Sequence, residues 1–238
     1  DARRGNGEAG RLEEEAPFMS RAEPPRLWAV LLLVVLLAPR AQADENTELA
    51  FHVGKITMKT VQGSASGSAY GLSYLRSTTD LVALGLGIDF LRPADKGSDT
   101  LIANGRTLTS VDSSSVLGLV RLGPTDEVLR PYFMLGVGMH FSAVKLDATP
   151  MTGFTWADTG TSEKRTLIDS GGSGVAIKIQ GGADYTCTDN FLAGGFLAWN
   201  SVGSTSYEST SQAKALGVDS IKGSMSAITF GIKLTARF

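Results

Sequence analysis

The last strand of the chain constrains its fold more than any other feature. Between Met225 and Phe238, apolar side chains alternate with polar or small ones. The apolar positions are Ile228, Phe230, Ile232, Leu234, Ala236 and Phe238. A strict period of two predicts a β-strand with one apolar and one polar face. An exposed Phe at the end of such a strand is rare in a soluble protein, so we expect the apolar face to meet lipid.

An apolar run near the amino terminus predicts a secretory signal peptide. The run covers residues 27–38 and is too short for a helix that crosses a bilayer, which needs about 20 residues. Arg21 and Arg26 precede it, and a small-x-small pattern ends at Ala43. We therefore expect a signal peptide over residues 19–43, cleaved between Ala43 and Asp44. The alternative, a core helix or a single anchor, disagrees with the length, the flanks and the cleavage pattern.

The signal peptide divides the chain into three parts. Residues 1–18 are charged and poor in apolar side chains, so we expect a non-native or disordered extension there. The mature domain is expected over residues 44–238. Its sequence contains no apolar run long enough for a membrane helix, so any membrane role must use strands.

Composition argues against several functions. The chain has 22 basic and 24 acidic residues and a formal net charge of −2, which gives no electrostatic footprint for nucleic acid. Cys187 is the only cysteine, so an intramolecular disulfide and a thiolate metal cluster are excluded. The two histidines do not define a metal site without carboxylates that the fold places beside them. We therefore expect no metal and no cofactor.

Alternation recurs along the mature domain and predicts eight strands. They are expected within residues 48–58, 70–76, 81–91, 106–122, 130–146, 174–186, 191–199 and 225–238. Asn104-Gly105 predicts a hairpin that extends the third and fourth strands. Long connections, including residues 61–69, 148–173 and 200–222, follow the odd-numbered strands, whereas short turns follow the second, fourth and sixth. An even number of strands brings both ends of the domain to the same side.

The terminal strand, the alternation, the unequal connections and the signal peptide together resemble small bacterial outer-membrane β-barrel proteins of the OmpA transmembrane-domain, OmpX and OmpW type. The resemblance covers residues 44–238. It implies an all-β fold, an eight-stranded antiparallel up-and-down transmembrane β-barrel with periplasmic termini. It also implies an assembly signal at Phe230, Ile232, Leu234 and Phe238. Lys233 departs from the family pattern, which often has Gly at that point.

The same resemblance implies partners. They are outer-membrane lipid and lipopolysaccharide, the barrel assembly machinery, and a surface ligand bound through the loops. We expect a monomer.

The polar phase of the strands predicts a network inside the barrel. Its candidate members are His52, Lys55, Asp89, His140, Lys178, Asp184 and Lys233. Eight strands leave an interior that side chains fill, and unpaired charge in so narrow a space is costly. We therefore expect buried ion pairs and hydrogen bonds. The alternative is a path for polar solutes.

One cluster has a catalytic appearance. His140 and Ser142 are two residues apart and lie on the same face of a strand. Outer-membrane lipid A deacylases resemble this arrangement, with a His-x-Ser pair and an acidic residue that orients the base. A nucleophile needs a base within hydrogen-bond reach and a third group that holds the base. The phase turns this pair inward, and no later strand offers an obvious Glu partner, so we expect no enzyme.

The function expected from the sequence is a structural or surface-interaction role carried by the extracellular loops, without chemistry. The alternative is a narrow porin-like channel for small or apolar molecules, as the OmpW resemblance implies. A third hypothesis is a lipid A-modifying enzyme.

Overall fold

The computed structural model describes residues 47–60, 63–94, 96–98, 105–151, 153–156, 159–215, 217 and 219–238. The expected extension, the signal peptide and the cleavage position between Ala43 and Asp44 lie outside the described residues. So does Asn104 of the expected hairpin. None of the helices in the described part is long and apolar enough to cross a membrane.

The described part consists of nine β-strands and one short helix. These are β1 (Thr47–Thr60), β2 (Gly63–Thr79), β3 (Val82–Pro93), β4 (Lys96–Ser98), β5 (Gly105–Leu122), β6 (Leu129–Pro150), β7 (Arg165–Thr188), β8 (Phe191–Glu208), α1 (Ser211–Ala215) and β9 (Ser220–Arg237). Strand β4 has three residues, and β3 ends at Pro93 just before it. Pro93 has no N–H to donate, but Ala94 beyond it still donates from its backbone N–H to the carbonyl oxygen of Ser66 at 2.7 Å.

The strands form one closed antiparallel sheet. Each long strand pairs with the next along the chain, and β1 pairs with β9. Strand β3 pairs directly with β5, and β4 pairs with β5 alongside it. Eight long strands therefore surround the barrel. The eight-stranded antiparallel up-and-down barrel expected from the sequence is confirmed.

The strands are tilted against the barrel axis. Following the paired residues around the barrel from Glu48 leads back to β1 at Met58 instead of at Glu48. A closed sheet with such a displacement must have tilted strands. Inward side chains that belong to different rows of paired residues, on strands that are not neighbours, can therefore lie at the same height and meet in the lumen.

The prediction of a long connection over residues 61–69 is wrong. Strand β2 begins at Gly63, and residues 63–69 pair in register with Gly54 to Thr60 of β1. The segment is rich in Gly and Ser, which are common turn residues. Here β1 supplies a complete partner strand, so tertiary pairing overrides the local preference.

The other two expected loops are shorter than predicted. Strands β6 and β7 leave only residues 151–164 between them, and β8 and β9 leave residues 209–219. The polar, Thr-rich sequence at the strand ends is typical of loops, but it continues the barrel wall. The tight turns at residues 80–81, 123–128 and 189–190 lie at or beside their predicted positions.

The outer face of the barrel carries a broad apolar belt. Strands β1, β3 and β5 to β9 expose large apolar side chains, among them Phe51, Val53, Leu86, Val116, Val137, Val175, Leu197, Phe230 and Ile232. Ile232 is 60% exposed, whereas its neighbour Lys233 is 5% exposed. The phase predicted for the last strand is therefore confirmed. A continuous belt of this kind requires an apolar surrounding, which is the hydrocarbon region of a bilayer.

Candidate functional site

Five buried charged side chains form a layer at the end of the barrel that carries Thr47 and Phe238. We call Glu48, Arg121, Arg130, Asp184 and Lys233 the terminal ion-pair layer. Arg121 donates from Nη1 to Oε2 of Glu48 at 2.6 Å, and Arg130 donates from Nη2 to Oε1 at 2.7 Å. The Nζ of Lys233 lies 2.7 Å from Oδ2 of Asp184, and Nη2 of Arg121 lies 3.4 Å from the same oxygen. The Glu48 carboxylate thus links the guanidinium groups of Arg121 and Arg130. The Asp184 carboxylate links the Arg121 guanidinium to the Lys233 ammonium.

Tyr132 completes this layer. The Nζ of Lys233 lies 3.9 Å from the centroid of the Tyr132 ring, and Cζ of Arg121 lies 4.9 Å from it. The Tyr132 hydroxyl accepts a hydrogen bond from Nε2 of Gln180 at 2.8 Å. The layer contains three cations and two carboxylates. The negative face of an aromatic ring attracts cations, so Tyr132 compensates part of the excess positive charge.

A second buried group, the Asp89 triad, consists of His52, Asp89 and Lys178. Oδ2 of Asp89 accepts a hydrogen bond from Nζ of Lys178 at 2.7 Å, and Oδ1 lies 3.0 Å from Nε2 of His52. The His52 ring meets the Phe196 ring edge-on at a centroid distance of 5.4 Å. The triad joins strands β1, β3 and β7 through the interior.

Most of the lumen residues predicted from the sequence face the interior. His52, Asp89 and Lys178 form the triad, and Asp184 and Lys233 belong to the terminal ion-pair layer. His140 is fully buried but belongs to neither group. Its contacts are described below.

Lys55 is not part of the interior network, so the prediction that its side chain faces the lumen is wrong. Its side chain is exposed on the outer face of the barrel. Strand β1 pairs without a bulge from Thr47 to Thr60, so Lys55 shares the outward phase of Phe51 and Val53. The expectation that a charge belongs in the lumen conflicted with the alternation, and the alternation decides the direction.

Three members of the terminal layer were missed by the sequence reasoning. Glu48 has the same phase as His52, and Arg130 has the same phase as His140, so alternation could have identified both. Arg121 had no such signal. The segment before it has apolar residues on both faces, since Leu117 and Leu119 are buried while Val116 and Val120 are exposed.

His140 and Ser142 face the lumen as predicted, and each is hydrogen-bonded to other side chains. The ring of His140 is hydrogen-bonded to two other hydroxyls, Ser115 Oγ at Nδ1 (2.9 Å) and Ser113 Oγ at Nε2 (3.3 Å). Ser142 Oγ is hydrogen-bonded to Tyr207 Oη at 2.8 Å. Both ring nitrogens are therefore occupied by other serines. Among the described residues, no cluster of three or more His, Cys, Asp or Glu side chains could hold a metal ion.

An apolar layer fills the lumen beyond the ion pairs. It comprises Ile56, Met58, Ala69, Leu91, Val202, Met225 and Ala227. A narrow gap between several of these residues and His140 contains about 170 Å³ of empty space, and no part of it is wide enough for a water molecule. Charged layers and an apolar layer thus succeed one another along the axis.

Comparison with known proteins identifies this architecture. No protein-family model and no curated protein matches the chain. Among solved structures, Neisserial surface protein A has a TM-score of 0.50 and 13% identity, and the match covers 81% of this chain and 97% of that chain. OprG from Pseudomonas aeruginosa has a TM-score of 0.41 and 13% identity, with the same two coverages. A major outer membrane protein from Thermus thermophilus has a TM-score of 0.43 and 11% identity, and the match covers 79% of this chain and 99% of that chain.

The fold is that of a small outer-membrane β-barrel. An apolar outer belt around a polar interior is the arrangement that such barrels have in the bacterial outer membrane. Their short turns lie in the periplasm and their long connections outside the cell. In this outer-membrane barrel the terminal ion-pair layer is therefore periplasmic, and the connections over residues 151–164 and 209–219 are extracellular.

The extracellular end of the outer-membrane barrel has a small core of its own. This extracellular cap consists of Leu146, Ala148, Trp156, Leu167, Ile168, Tyr207 and Ala213. Trp156 donates from Nε1 to the carbonyl oxygen of Glu163 at 2.7 Å, and Cζ of Arg165 lies 4.7 Å from its ring centroid. The connection between β6 and β7 is therefore anchored to the strands below it.

A second contact fastens the same connection. Asp147 accepts a hydrogen bond from Thr166 Oγ1 at 2.7 Å, and Lys164 Nζ lies 2.8 Å from its other carboxylate oxygen. Burial raises the pKa of Asp147, but the hydrogen bonds from Lys164 and Thr166 outweigh it and hold the pKa below its ordinary value. The carboxylate is thus ionised and in place at neutral pH.

Proposed function

We propose that this outer-membrane barrel is a surface-interaction protein without catalytic activity, whose binding is carried by the extracellular cap and the connections above it. The observation that carries the proposal is the filled lumen. Glu48, Asp89, Arg121, Lys178 and Lys233 are each at most 5% exposed. A path for polar solutes needs interior groups that meet water, and an eight-stranded barrel is narrow enough for side chains to fill it.

The extracellular cap supports the same proposal. Binding residues are commonly found on loops that a rigid scaffold positions. Here Trp156, Tyr207 and Ala213 fix the base of the connections, while Met151 and Phe154 above them are exposed by 38% and 48%. Exposed apolar side chains on an anchored connection are suited to contact a macromolecule.

The contacts of Ser142 and His140 support the absence of chemistry. A nucleophilic serine needs a base within hydrogen-bond reach. Ser142 instead contacts Tyr207, and His140 contacts Ser113 and Ser115. Both side chains act as polar filling of the interior.

The proposal is tested by adherence of bacteria that display the protein. We would express it in a non-adherent strain and measure attachment to cultured mammalian cells, to an immobilised acidic polysaccharide and to an immobilised neutral polysaccharide. Met151→Ala with Phe154→Ala is expected to lower attachment about tenfold, as the loss of a contact hot spot does. Val128→Ala is the matched control, because Val128 is 63% exposed but lies in a periplasmic turn.

Equal amounts of heat-modifiable folded protein at the surface are required in all strains. Attachment that does not change in the double variant would contradict the proposal. So would a wild type that binds none of the three surfaces but makes liposomes permeable to small solutes, which would favour the channel alternative.

A further inference from the structure

We propose that the outer face of strands β1 to β3 binds the phosphate groups of outer-leaflet lipopolysaccharide through Lys55, Lys59 and Arg92. This lipid-binding surface is separate from the extracellular cap. The inference needs the barrel to lie in the outer membrane, but it does not depend on what the cap binds.

The pairing of the strands brings the basic residues together. Lys55 pairs with Ser68, and Ser68 pairs with Arg92, so the three residues form one row across the sheet. All three side chains point outward and are exposed. Neighbouring strands are about 4.8 Å apart, which puts the backbones of Lys55 and Arg92 about 10 Å apart. Lys59 follows on the same face, about 13 Å further along β1.

Because the strands are tilted, this row rises from the apolar belt at Lys55, which pairs with Phe230, towards the extracellular end at Arg92. The preceding outward row consists of Val53, Tyr70 and Phe90, which are also paired with one another. The rings of Tyr70 and Phe90 stack at a centroid distance of 5.2 Å, and the guanidinium of Arg92 lies 5.7 Å from the Tyr70 ring. Aromatic side chains mark the interfacial level of outer-membrane barrels. The basic side chains therefore begin beside the belt and extend upward into the level where acyl chains give way to headgroups.

The surface carries excess positive charge. Within the described part of the chain, neither Lys55 nor Lys59 has an ion-pair partner. Asp112 lies 3.6 Å from Nε of Arg92, but both side chains are mostly exposed, and such pairs are weak. On β7 and β8, by contrast, the outward residues above the belt include Ser173 and Ser201. Strands β1 and β3 thus carry cations at a level where β7 and β8 carry serines.

The shape of the surface fits a phosphorylated headgroup. Ser66 and Ser68 on β2 are short and exposed, and they lie between the long side chains of β1 and β3. The result is a shallow groove with hydroxyl donors at its base and cations on both sides. Lysine binds phosphate as a point charge, and arginine binds it through its planar fork. The acyl chains of the same lipid would lie against Val53 and Phe90, which a free phosphate ion would not use.

Native mass spectrometry of the folded barrel in detergent tests the proposal. The ligands are diphosphorylated lipid A and the same lipid after removal of both phosphates. Lys55→Gln with Arg92→Gln is expected to weaken binding of the phosphorylated lipid about tenfold, since each basic contact with an anionic headgroup contributes favourably. The dephosphorylated lipid should bind the wild type as weakly as the phosphorylated lipid binds the variant.

The matched control is Lys145→Gln with Lys214→Gln, which removes two positive charges elsewhere near the extracellular end. It should bind phosphorylated lipid like the wild type. Millimolar inorganic phosphate should not displace the lipid, because the apolar belt contributes to binding. Equal binding of the two lipids by the wild type, or an equal loss in the control, would overturn the proposal. Lys55→Gln alone should show a smaller loss in the same direction if the double variant folds poorly.

Discussion

The Nζ atom of Lys178 lies 2.7 Å from Oδ2 of Asp89, although the two residues are 89 positions apart in the chain. Lys178 extends from β7 and Asp89 from β3, which are not neighbours in the barrel. Their side chains therefore meet across the interior. Contacts of this kind convert the lumen of the outer-membrane barrel into a packed core, which is the basis of the predictions below.

Removing one partner of this pair should destabilise the barrel strongly. Asp89→Ala leaves the Lys178 ammonium buried without its carboxylate, which we expect to lower the free energy of unfolding by about 3–5 kcal/mol. The measurement is urea unfolding in detergent micelles, followed by loss of the heat-modifiable band. Asp112→Ala, at an acid that is exposed on the outer face, should change the free energy by about 0.5 kcal/mol or less.

A double variant distinguishes two causes of the instability: the loss of the attraction between Asp89 and Lys178, and the burial of the Lys178 ammonium without a partner. Asp89→Leu with Lys178→Met removes both charges, and its unfolding free energy should return to within about 2 kcal/mol of the wild type. If the double variant is as unstable as Asp89→Ala, the stranded charge is not the cause.

Tyr132 should stabilise the terminal ion-pair layer through its ring more than through its hydroxyl. Tyr132→Phe removes the hydrogen bond from Gln180 and should cost about 1 kcal/mol. Tyr132→Leu also removes the ring beneath Lys233 and Arg121, which should cost about 2 kcal/mol more. The same urea titration measures both. Equal losses in the two variants would assign the effect to the hydroxyl.

A charge on the lipid-facing side of the last strand should impair insertion. Ile232→Asp puts a carboxylate on the apolar belt, where a charged side chain costs up to a few kcal/mol. Val128→Asp makes the same type of change at an equally exposed position in a periplasmic turn and should have little effect. Folded and unfolded bands after refolding into lipid vesicles measure the difference. Similar folding yields would mean that Ile232 does not face lipid.

The contact of Asp147 with Lys164 and Thr166 should make the extracellular connection sensitive to acid. Because the pKa of Asp147 is lower in the folded cap, its contribution to stability is full above the unfolded value of about 3.9 and is lost as pH falls through the folded pKa. Hydrogen exchange of residues 159–166, corrected for the intrinsic pH dependence, should therefore accelerate below about pH 4.

Two variants check this assignment. Asp147→Asn should exchange faster than the wild type at neutral pH and should lack the acid-dependent step. Asp169→Asn, which changes an exposed acid on β7, should behave like the wild type. An acid-dependent step that persists in Asp147→Asn would assign it to another group.

Strict alternation made the barrel and much of its interior predictable. Ile232 and Lys233 were assigned to opposite faces because, from Ile228 onward, apolar residues alternate with polar or small residues in the last strand. The same rule could have identified Glu48 and would have excluded Lys55. The error at Lys55 arose because charge was given more weight than phase.

Other features depend on contacts that no single strand contains. Arg121 follows residues that are apolar on both faces, so its direction is set by pairing with β3 and β6. Its contact with Glu48 joins residues 73 positions apart and depends on the tilt of the whole barrel. The extension of β2 through Gly63–Ala69 likewise depends on β1, since the Gly- and Ser-rich sequence alone favours a loop.

Single-channel recording across a planar lipid bilayer tests the filled lumen most directly. Refolded wild-type protein would be inserted at high salt, and a large porin in the same bilayer would establish the sensitivity of the recording. Because ion pairs and the apolar layer occupy the interior, we expect no steady open state above the baseline current. A steady, reproducible conductance from the folded wild-type barrel would contradict the filled lumen.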